Sequence, residues 1–126
     1  MQTTETLQLV ERYLDAIRAR DFAAARALLA SRGFEYLSPI ARFDDADRFA
    51  ESMEAVGAIL HDIRTCYRFA DGDLACHILD VTVSLDAYQT QRVVQLARVA
   101  AAKIIALEVI FDASQFHRMI GQGGAT

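Results

Sequence analysis

The clearest strand signal in the chain is LACHILDVTVSL, residues 74–85. Its side chains alternate between two faces, and the mainly apolar face carries Ala75, His77, Leu79, Val81, Val83 and Leu85. The other face carries Cys76, Ile78, Asp80, Thr82 and Ser84. A period of two residues is typical of a β-strand whose two faces meet different surroundings. We therefore predict a long strand here, with its apolar face on the concave side of a sheet.

The sequence on both sides of this strand also predicts β-structure. Residues 63–69 are followed by Asp71-Gly72-Asp73, a turn signal typical of a hairpin. Residues 86–91 predict a turn, residues 92–99 a returning strand, and the β-branched residues 104–111 a last strand. The window from residue 93 to 111 is also compatible with a buried helix, because Ala100-Ala101-Ala102 is a poor tight turn. We predict two strands.

The N-terminal half of the chain has a helical period instead. Apolar residues recur at spacings of three and four over residues 5–19, and Thr4 or Thr6 is the expected N-cap. Asp21 is the expected N-cap of a second helix, which Gly33 ends. We predict a short strand at residues 34–37, stopped by Pro39.

A third helix is predicted after that strand. Phe43-Asp44-Asp45 opens it, because either aspartate can accept hydrogen bonds from the free N–H groups of a first turn. Its apolar side chains continue at helical spacing to about His61. Three helices followed by a long β half predict an α+β fold, in which the helices pack on one face of a curved antiparallel sheet.

Length and composition limit the classes of function. A chain of 126 residues is expected to form a single domain over residues 1–126, and its 53% hydrophobic content indicates a large core. Its net charge of −4 offers no basic surface, so we expect no nucleic-acid partner. We see neither a signal peptide nor an apolar run of transmembrane length, and therefore expect a cytoplasmic protein with no membrane partner. Cys66 and Cys76 are expected to be reduced, buried thiols.

The order and spacing of these elements resemble the NTF2-like (SnoaL-like) superfamily, a cone-shaped α+β fold that includes ketosteroid isomerases and polyketide cyclases. The resemblance covers roughly residues 7–112. The segments that carry it are Val10-Glu11-Arg12-Tyr13-Leu14, Arg20-Asp21-Phe22, Leu37-Ser38-Pro39, Arg42-Phe43-Asp44-Asp45 and Val109-Ile110-Phe111-Asp112.

The resemblance implies roles for a few polar residues. Tyr13 stands where the isomerases place a phenol that donates to the substrate oxyanion, and Gln95 stands where they place a second donor. Ser38 stands where they place the aspartate base, and a hydroxyl cannot accept a proton near pH 7 without a neighbouring base. Related epoxide-opening enzymes use an acid–arginine–acid set on inner faces, whereas Arg98 and Glu108 fall on the outward register here. Neither of these activities is therefore expected in its usual form.

His77 is the best candidate for a catalytic base. It lies in the middle of an otherwise apolar strand face, where burial disfavours the charged form and leaves an imidazole that can accept a proton. Asp80 faces away from it in a regular strand. The alternatives stay open, because a lone histidine on such a face is more often a core residue, and Tyr13 can equally be a core tyrosine whose hydroxyl finds a partner.

The other inward positions describe a cavity rather than a reaction. The ligand-binding candidates are Tyr36, Ser38, Phe43, Phe49, Met53, Val93, Leu107 and Phe111. No cofactor motif is present, and His61, His77 and His117 lack the spacing of metal ligands. Even if Cys66 and Cys76 face each other across the hairpin, two thiols without a third ligand make a weak site. The glycine-rich residues 121–124 predict flexible chain rather than a phosphate loop.

Two functions follow from this pattern. The first is a pocket for a small, largely hydrophobic molecule, with isomerase-, cyclase- or lyase-type proton transfer by His77, Tyr13 and Gln95 if the chain is an enzyme. The second is a non-catalytic interaction module whose interior is filled by Tyr36, Phe49 and Phe111. The outward face of the sheet favours a homodimer through the sheets, because it carries Ile78, Thr82, Val94, Leu96, Ile104 and Ile110.

Overall fold

The architecture is that of a computed structural model, which describes residues 2–114. Three helices cover a curved, unclosed sheet: α1 (Thr3–Arg18) and α2 (Phe22–Ala27) precede all of its strands, and α3 (Ala46–Gly57) lies between its second and third strands. The strands are β1 (Glu35–Leu37), β2 (Arg42–Phe43), β3 (Leu60–Asp71), β4 (Leu74–Ser84), β5 (Tyr88–Ala100) and β6 (Lys103–Ile110). The predicted α+β class is confirmed. His117 and the predicted flexible segment at residues 121–124 lie outside the described residues.

The sheet has the strand order β2-β1-β6-β5-β4-β3. Four of its strand pairs are antiparallel, whereas β1 lies parallel to β6. The prediction of an antiparallel sheet is wrong at that one pair, because β1 reaches the sheet directly from the helices and is not a hairpin partner of β6. The long strands β3, β4 and β5 form the greater part of the sheet and pair over almost their full length.

Helix α1 begins differently from the prediction. Its N-cap is Gln2, which makes no side-chain capping bond. Thr6 instead donates its hydroxyl hydrogen to the carbonyl oxygen of Gly72 at 2.7 Å, and the Thr3 hydroxyl accepts from the Gly72 N–H at 3.1 Å. These threonines therefore fix the start of α1 to the turn between β3 and β4.

The other two N-caps are confirmed. The Asp21 carboxylate accepts from the Ala24 N–H, and the Asp45 carboxylate accepts from the N–H groups of Asp47 and Arg48. Each carboxylate satisfies N–H groups of a first helical turn that have no partner within the helix.

Several predicted boundaries are wrong by a few residues. Helix α2 ends at Ala27, well before Gly33, which lies with φ at +74° in the bend that leads to β1. Phe43 does not open α3 but forms the short strand β2, which pairs with β1. Helix α3 ends at Gly57, and His61 belongs to β3. Leu60 is expected to be buried whether it continues the helix or begins the strand. Periodicity alone therefore did not locate the end of α3.

Two alanines make the turn between β5 and β6. Ala101 and Ala102 adopt φ values of +50° and +61°, the left-handed conformation that a two-residue hairpin turn requires. The window from residue 93 to 111 is therefore two strands, and the helical alternative is wrong. A register shift next to this turn directs Ile104 into the core, where it is 0% exposed. The prediction that Ile104 lies on the outward face is wrong for that reason.

The core lies between α1 and the concave face of the sheet. The buried side of α1 consists of Thr6, Leu9, Val10, Tyr13, Leu14 and Ile17. Arg18 fixes the other end of the helix, because its guanidinium donates to the Ile63 carbonyl at 2.6 Å and to the Thr65 hydroxyl at 2.8 Å. None of the helices in residues 2–114 is long and apolar enough to cross a membrane.

The two cysteines are free thiols, as predicted, but they are half-buried and not buried. They do not face each other across the hairpin, because Cys76 is opposite Phe69 and Cys66 is the extra residue of a bulge in β3.

Candidate functional site

A cavity of about 240 Å³ is lined by the C-terminal part of α1, by α3 and by the concave side of the sheet. Aliphatic side chains dominate its wall, and its polar lining residues are Tyr13, Tyr36, Gln91 and Gln95. The wall residues of the described chain include no carboxylate, histidine, lysine, arginine or cysteine. A ligand in this cavity therefore meets only uncharged groups.

Tyr13 and Tyr36 supply phenol groups to the cavity. Burial raises the pKa of Tyr13 well above its ordinary value, and the neighbouring Tyr36 phenol raises it further. Burial also raises the pKa of Tyr36, although the nearby Ser38 hydroxyl opposes this shift. Both phenols are therefore protonated near pH 7 and can donate hydrogen bonds, but neither can act as a base.

Gln91 and Gln95 differ in their hydrogen bonding. The side-chain nitrogen of Gln91 donates to the carbonyl oxygen of Asp112 at 2.9 Å. Gln95 is only 6% exposed, and its side-chain nitrogen has no hydrogen-bond partner within residues 2–114. A buried donor without an acceptor costs about 1–3 kcal/mol. Gln95 is thus the residue of the wall whose amide most needs a partner.

His77 lies on the concave face but is not part of the cavity wall. It is 0% exposed, and neither ring nitrogen has a hydrogen-bond partner among the described residues. Its Nε2 lies 4.0 Å from a carboxylate oxygen of Glu11. Burial lowers the pKa of His77; Glu11 opposes this shift, whereas Arg68 and Arg18 add to it. The ring is therefore neutral near pH 7, as expected. Its catalytic role stays a prediction, because His77 does not line the cavity in which a substrate would bind.

The predicted ligand-binding residues divide into two groups. Tyr36, Phe49, Met53, Val93 and Phe111 line the cavity, as do Tyr13 and Gln95. Ser38, Phe43 and Leu107 do not.

Each residue of the second group has another role. The Ser38 hydroxyl accepts from the N–H groups of Ile40 and Ala41 and so closes the turn between β1 and β2. Phe43 packs against Tyr36 and Phe49, with ring centroids 5.9 Å apart in both pairs. Leu107 is a buried core residue.

The residues at the mouth of the cavity were not among the predicted site residues. Ile40, Val56 and Leu85 line it and are 43%, 39% and 37% exposed. All three follow or end an element, at positions where an apolar residue has no obvious partner. Apolar residues at or just after the end of a helix or strand were therefore the available signal.

No protein-family model and no curated protein matches this chain. Three solved structures illustrate its structural likeness. An NTF2-like protein from Cytophaga hutchinsonii has 22% identity and a TM-score of 0.78, over 88% of this chain and 93% of that one. An LEH-like epoxide hydrolase from M. tuberculosis has 19% identity and a TM-score of 0.81, over 96% and 92%. A candidate SnoaL-like polyketide cyclase from Jannaschia sp. CCS1 has 12% identity and a TM-score of 0.82, over 97% and 94%.

The chain has the NTF2-like fold. This confirms the resemblance that the sequence suggested. At such identities the likeness shows the fold and leaves the chemistry to the residues of the cavity. The outward register predicted for Arg98 and Glu108 is confirmed, because both are exposed and Arg98 pairs with Asp73 at 3.2 Å. Within residues 2–114, no group of three or more potential ligand side chains could hold a metal ion.

Proposed function

We propose that this NTF2-like chain binds a small, uncharged, largely apolar molecule and does not transform it. The observation that carries this proposal is the wall of the 240 Å³ cavity, in which apolar residues surround two phenols and two amides. A few polar groups among many apolar ones are typical of a site that orients a ligand while apolar burial supplies most of the affinity.

Proton transfer is not the function that this wall favours. A general base must come within hydrogen-bond distance of the proton that it removes, directly or through one water. Ser38, at the position of the isomerase base, is engaged in a turn, and both lining tyrosines have raised pKa values. The cavity thus offers donors to a carbonyl or hydroxyl oxygen without a group that would remove a proton.

Structurally similar proteins include enzymes. The uncharged side chains that line the cavity are our reason for proposing a different function for this chain. An epoxide hydrolase and a candidate polyketide cyclase share the fold. A charged ligand is disfavoured as well, because moving an ion into an apolar site without a partner costs several kcal/mol. We therefore expect neutral ketones, lactones, phenols or alcohols rather than carboxylic acids or amines.

A thermal-shift panel of flat ketones, phenols and lactones tests this function. A ligand at a hundredfold excess over its dissociation constant adds about 2.7 kcal/mol of stability, which corresponds to a shift of several degrees. Tyr13→Phe should weaken the shift, whereas Tyr88→Phe should not, because Tyr88 is a 67% exposed tyrosine outside the cavity. If no compound raised the melting temperature, or if both variants behaved alike, the assignment of the cavity would be wrong.

We also propose that the chain forms a homodimer through the convex face of its sheet. Several large apolar residues on this face are exposed, namely Leu37, Tyr67, Phe69 and Ile110, at 47%, 58%, 58% and 48%. The strand register places all of them on the side opposite His77 and Gln95. Several large exposed apolar side chains on one face are typical of a protein interface.

Sedimentation at micromolar concentration tests the dimer. The wild type should sediment as a dimer, and Ile110→Glu should produce a monomer because it places a charge in the interface. Leu85→Glu, a matched change at the cavity mouth, should leave the dimer intact. A monomeric wild type would exclude this assembly.

A further inference from the structure

His77 and Gln95 form a cross-strand pair on the concave face. They are directly opposite each other in the register of β4 and β5. Side chains at opposed positions on one face of an antiparallel pair lie about 4.5–5.5 Å apart at their Cβ atoms. Gln95 lines the cavity and His77 lies behind the wall, so this pair connects the cavity to the buried interior.

Both members of the pair have unmet hydrogen-bonding capacity. The buried side-chain atoms without a partner in residues 2–114 are His77 Nδ1, His77 Nε2 and Gln95 Nε2. All of them belong to this one pair. The two side chains do not hydrogen-bond to each other in the structure. Buried polar groups are nearly always hydrogen-bonded, and a rotation of the Gln95 side chain is the change that would make each residue the partner of the other.

The charges around His77 determine its tautomer. The carboxylate of Glu11 on α1 lies 4.0 Å from Nε2 and favours a proton on that nitrogen. Arg18 on α1 and Arg68 on β3 are the other charged groups that act on the ring, and Arg68 also pairs with Glu11. Nδ1 is therefore the nitrogen that remains as an acceptor in the neutral ring, and it becomes a donor when the ring is protonated.

We propose that His77 is a positioning residue that sets the orientation of the Gln95 amide and thereby the ligand preference of the cavity. With a neutral ring, Nδ1 accepts a hydrogen bond from the Gln95 amide nitrogen, and the amide oxygen faces the cavity as an acceptor. With a protonated ring, Nδ1 donates to the amide oxygen, and the amide nitrogen faces the cavity as a donor. This inference rests on the proposed function and specifies its selectivity. At pH values above the pKa of His77 the cavity prefers ligands with a hydroxyl group, and below that pKa it prefers ligands with a carbonyl group.

The first test requires no ligand. In an NMR titration from pH 8 to pH 5, the side-chain amide signals of Gln95 should change with the same midpoint as the ring signals of His77. Gln91 is the matched control, because its amide nitrogen is already bound to the Asp112 carbonyl and should not follow this midpoint. His77→Phe should abolish the change at Gln95, whereas His61→Gln should preserve it. A Gln95 amide that does not respond while His77 titrates would overturn the proposal.

The second test uses a ketone and its alcohol on one skeleton, 2-tetralone and 2-tetralol. The ratio of their dissociation constants should shift by about fivefold toward the ketone between pH 7.5 and pH 5, as expected for the gain or loss of one hydrogen bond. A ratio that is the same at both pH values would overturn the inference but leave the proposed function standing. If neither probe bound, the proposed function would fail for these ligands, and the NMR titration alone would decide the role of His77.

Discussion

The two halves of β4 have the same inward pattern but different surroundings. Ala75 and His77, in its first half, are both 0% exposed. Val81 and Val83, in its second half, line the cavity together with Leu85, which follows the strand and is 37% exposed. The strand sequence does not explain this difference, since the second half is the more apolar of the two.

The position of α1 explains the difference. Hydrogen bonds fix its start at Gly72, beside the first residues of β4, and its end at Ile63 and Thr65 on β3. Between these points the helix passes from the first residues of β4 to β3, whereas Val81 and Val83 of β4 line the cavity. What is core and what is cavity thus depends on where the covering helix ends, and the same apolar residues serve both purposes.

The largest expected effect comes from two leucines, one from each region. Leu9→Ala removes a side chain that is 2% exposed under α1, and we expect it to reduce the free energy of unfolding by about 2–5 kcal/mol. Leu85→Ala at the cavity mouth should cost less than about 1 kcal/mol, because water already reaches that side chain. Urea unfolding of both variants measures the contrast. Equal losses would show that the mouth is packed as tightly as the core.

Filling the open half is the next test. Val83→Phe should occupy the cavity and remove the ligand-induced stabilisation of about 2.7 kcal/mol expected at a hundredfold excess of ligand. Ser84→Phe places the same ring on the opposite face of the strand and should leave binding unchanged. The measurement is the thermal shift of the two variants with the best ligand of the panel. Retained binding by Val83→Phe would place the ligand elsewhere.

The closed half should respond to acid through His77. Burial lowers its pKa in the folded state, so the unfolded chain takes up the proton first as the pH falls. The contribution of His77 to stability is therefore complete above its ordinary pKa of about 6.5 and is lost as the pH falls from there through the lower folded value. Each tenfold difference in proton affinity between the two states corresponds to about 1.4 kcal/mol.

Urea unfolding between pH 7.5 and pH 5 measures this effect. His77→Phe should flatten the dependence on pH in that range, and His61→Gln, a change at an exposed histidine, should not. If the free energy of unfolding depended on pH equally in the His77 variant and in the wild type, the buried imidazole would not be the cause of that dependence.

The smallest effect concerns the turn that joins β5 to β6. Ala101 and Ala102 both have positive φ, which costs an alanine about 1–2 kcal/mol per residue relative to its preferred conformations. Ala101→Asn combined with Ala102→Gly matches the residues that this turn favours, and we expect a gain of about 1 kcal/mol after the extra chain entropy of glycine is subtracted. Thermal unfolding measures it. A loss of stability would mean that the alanine methyl groups contribute packing.

The sequence contained most of the fold because the signals were local. The local sequence alone shows the alternation over residues 74–85 and the N-cap aspartates Asp21 and Asp45. The short strand β2 was missed because two residues carry no period, and its pairing with β1 depends on a turn closed by the Ser38 hydroxyl. The face of Ile104 was assigned wrongly because a register shift is set by the neighbouring strand and not by the residue itself.

The site was less predictable, because membership of a cavity wall depends on long-range packing. Val93 was identified as an inward strand position, and Gln95 was identified from the family resemblance; both line the cavity. Whether an inward residue meets a cavity or a helix depends on the path of α1, which the sequence does not specify. His77 and Val83 share one strand face, and for this reason only Val83 reaches the cavity.

The outer strand β3 exposes one edge of the sheet, and two irregularities interrupt its pairing, near His61 and at Cys66. An unbroken strand of this length at an edge would invite another chain to add to it, as in fibril growth. The irregularities, together with Arg64 and Arg68, make that edge a poor template. Deleting Cys66 alone would remove the bulge and give an uninterrupted ladder, in which Thr65 stays opposite Leu79 and Tyr67 stays opposite Ile78. We therefore expect the irregularities of β3 to hinder the addition of another chain at this edge.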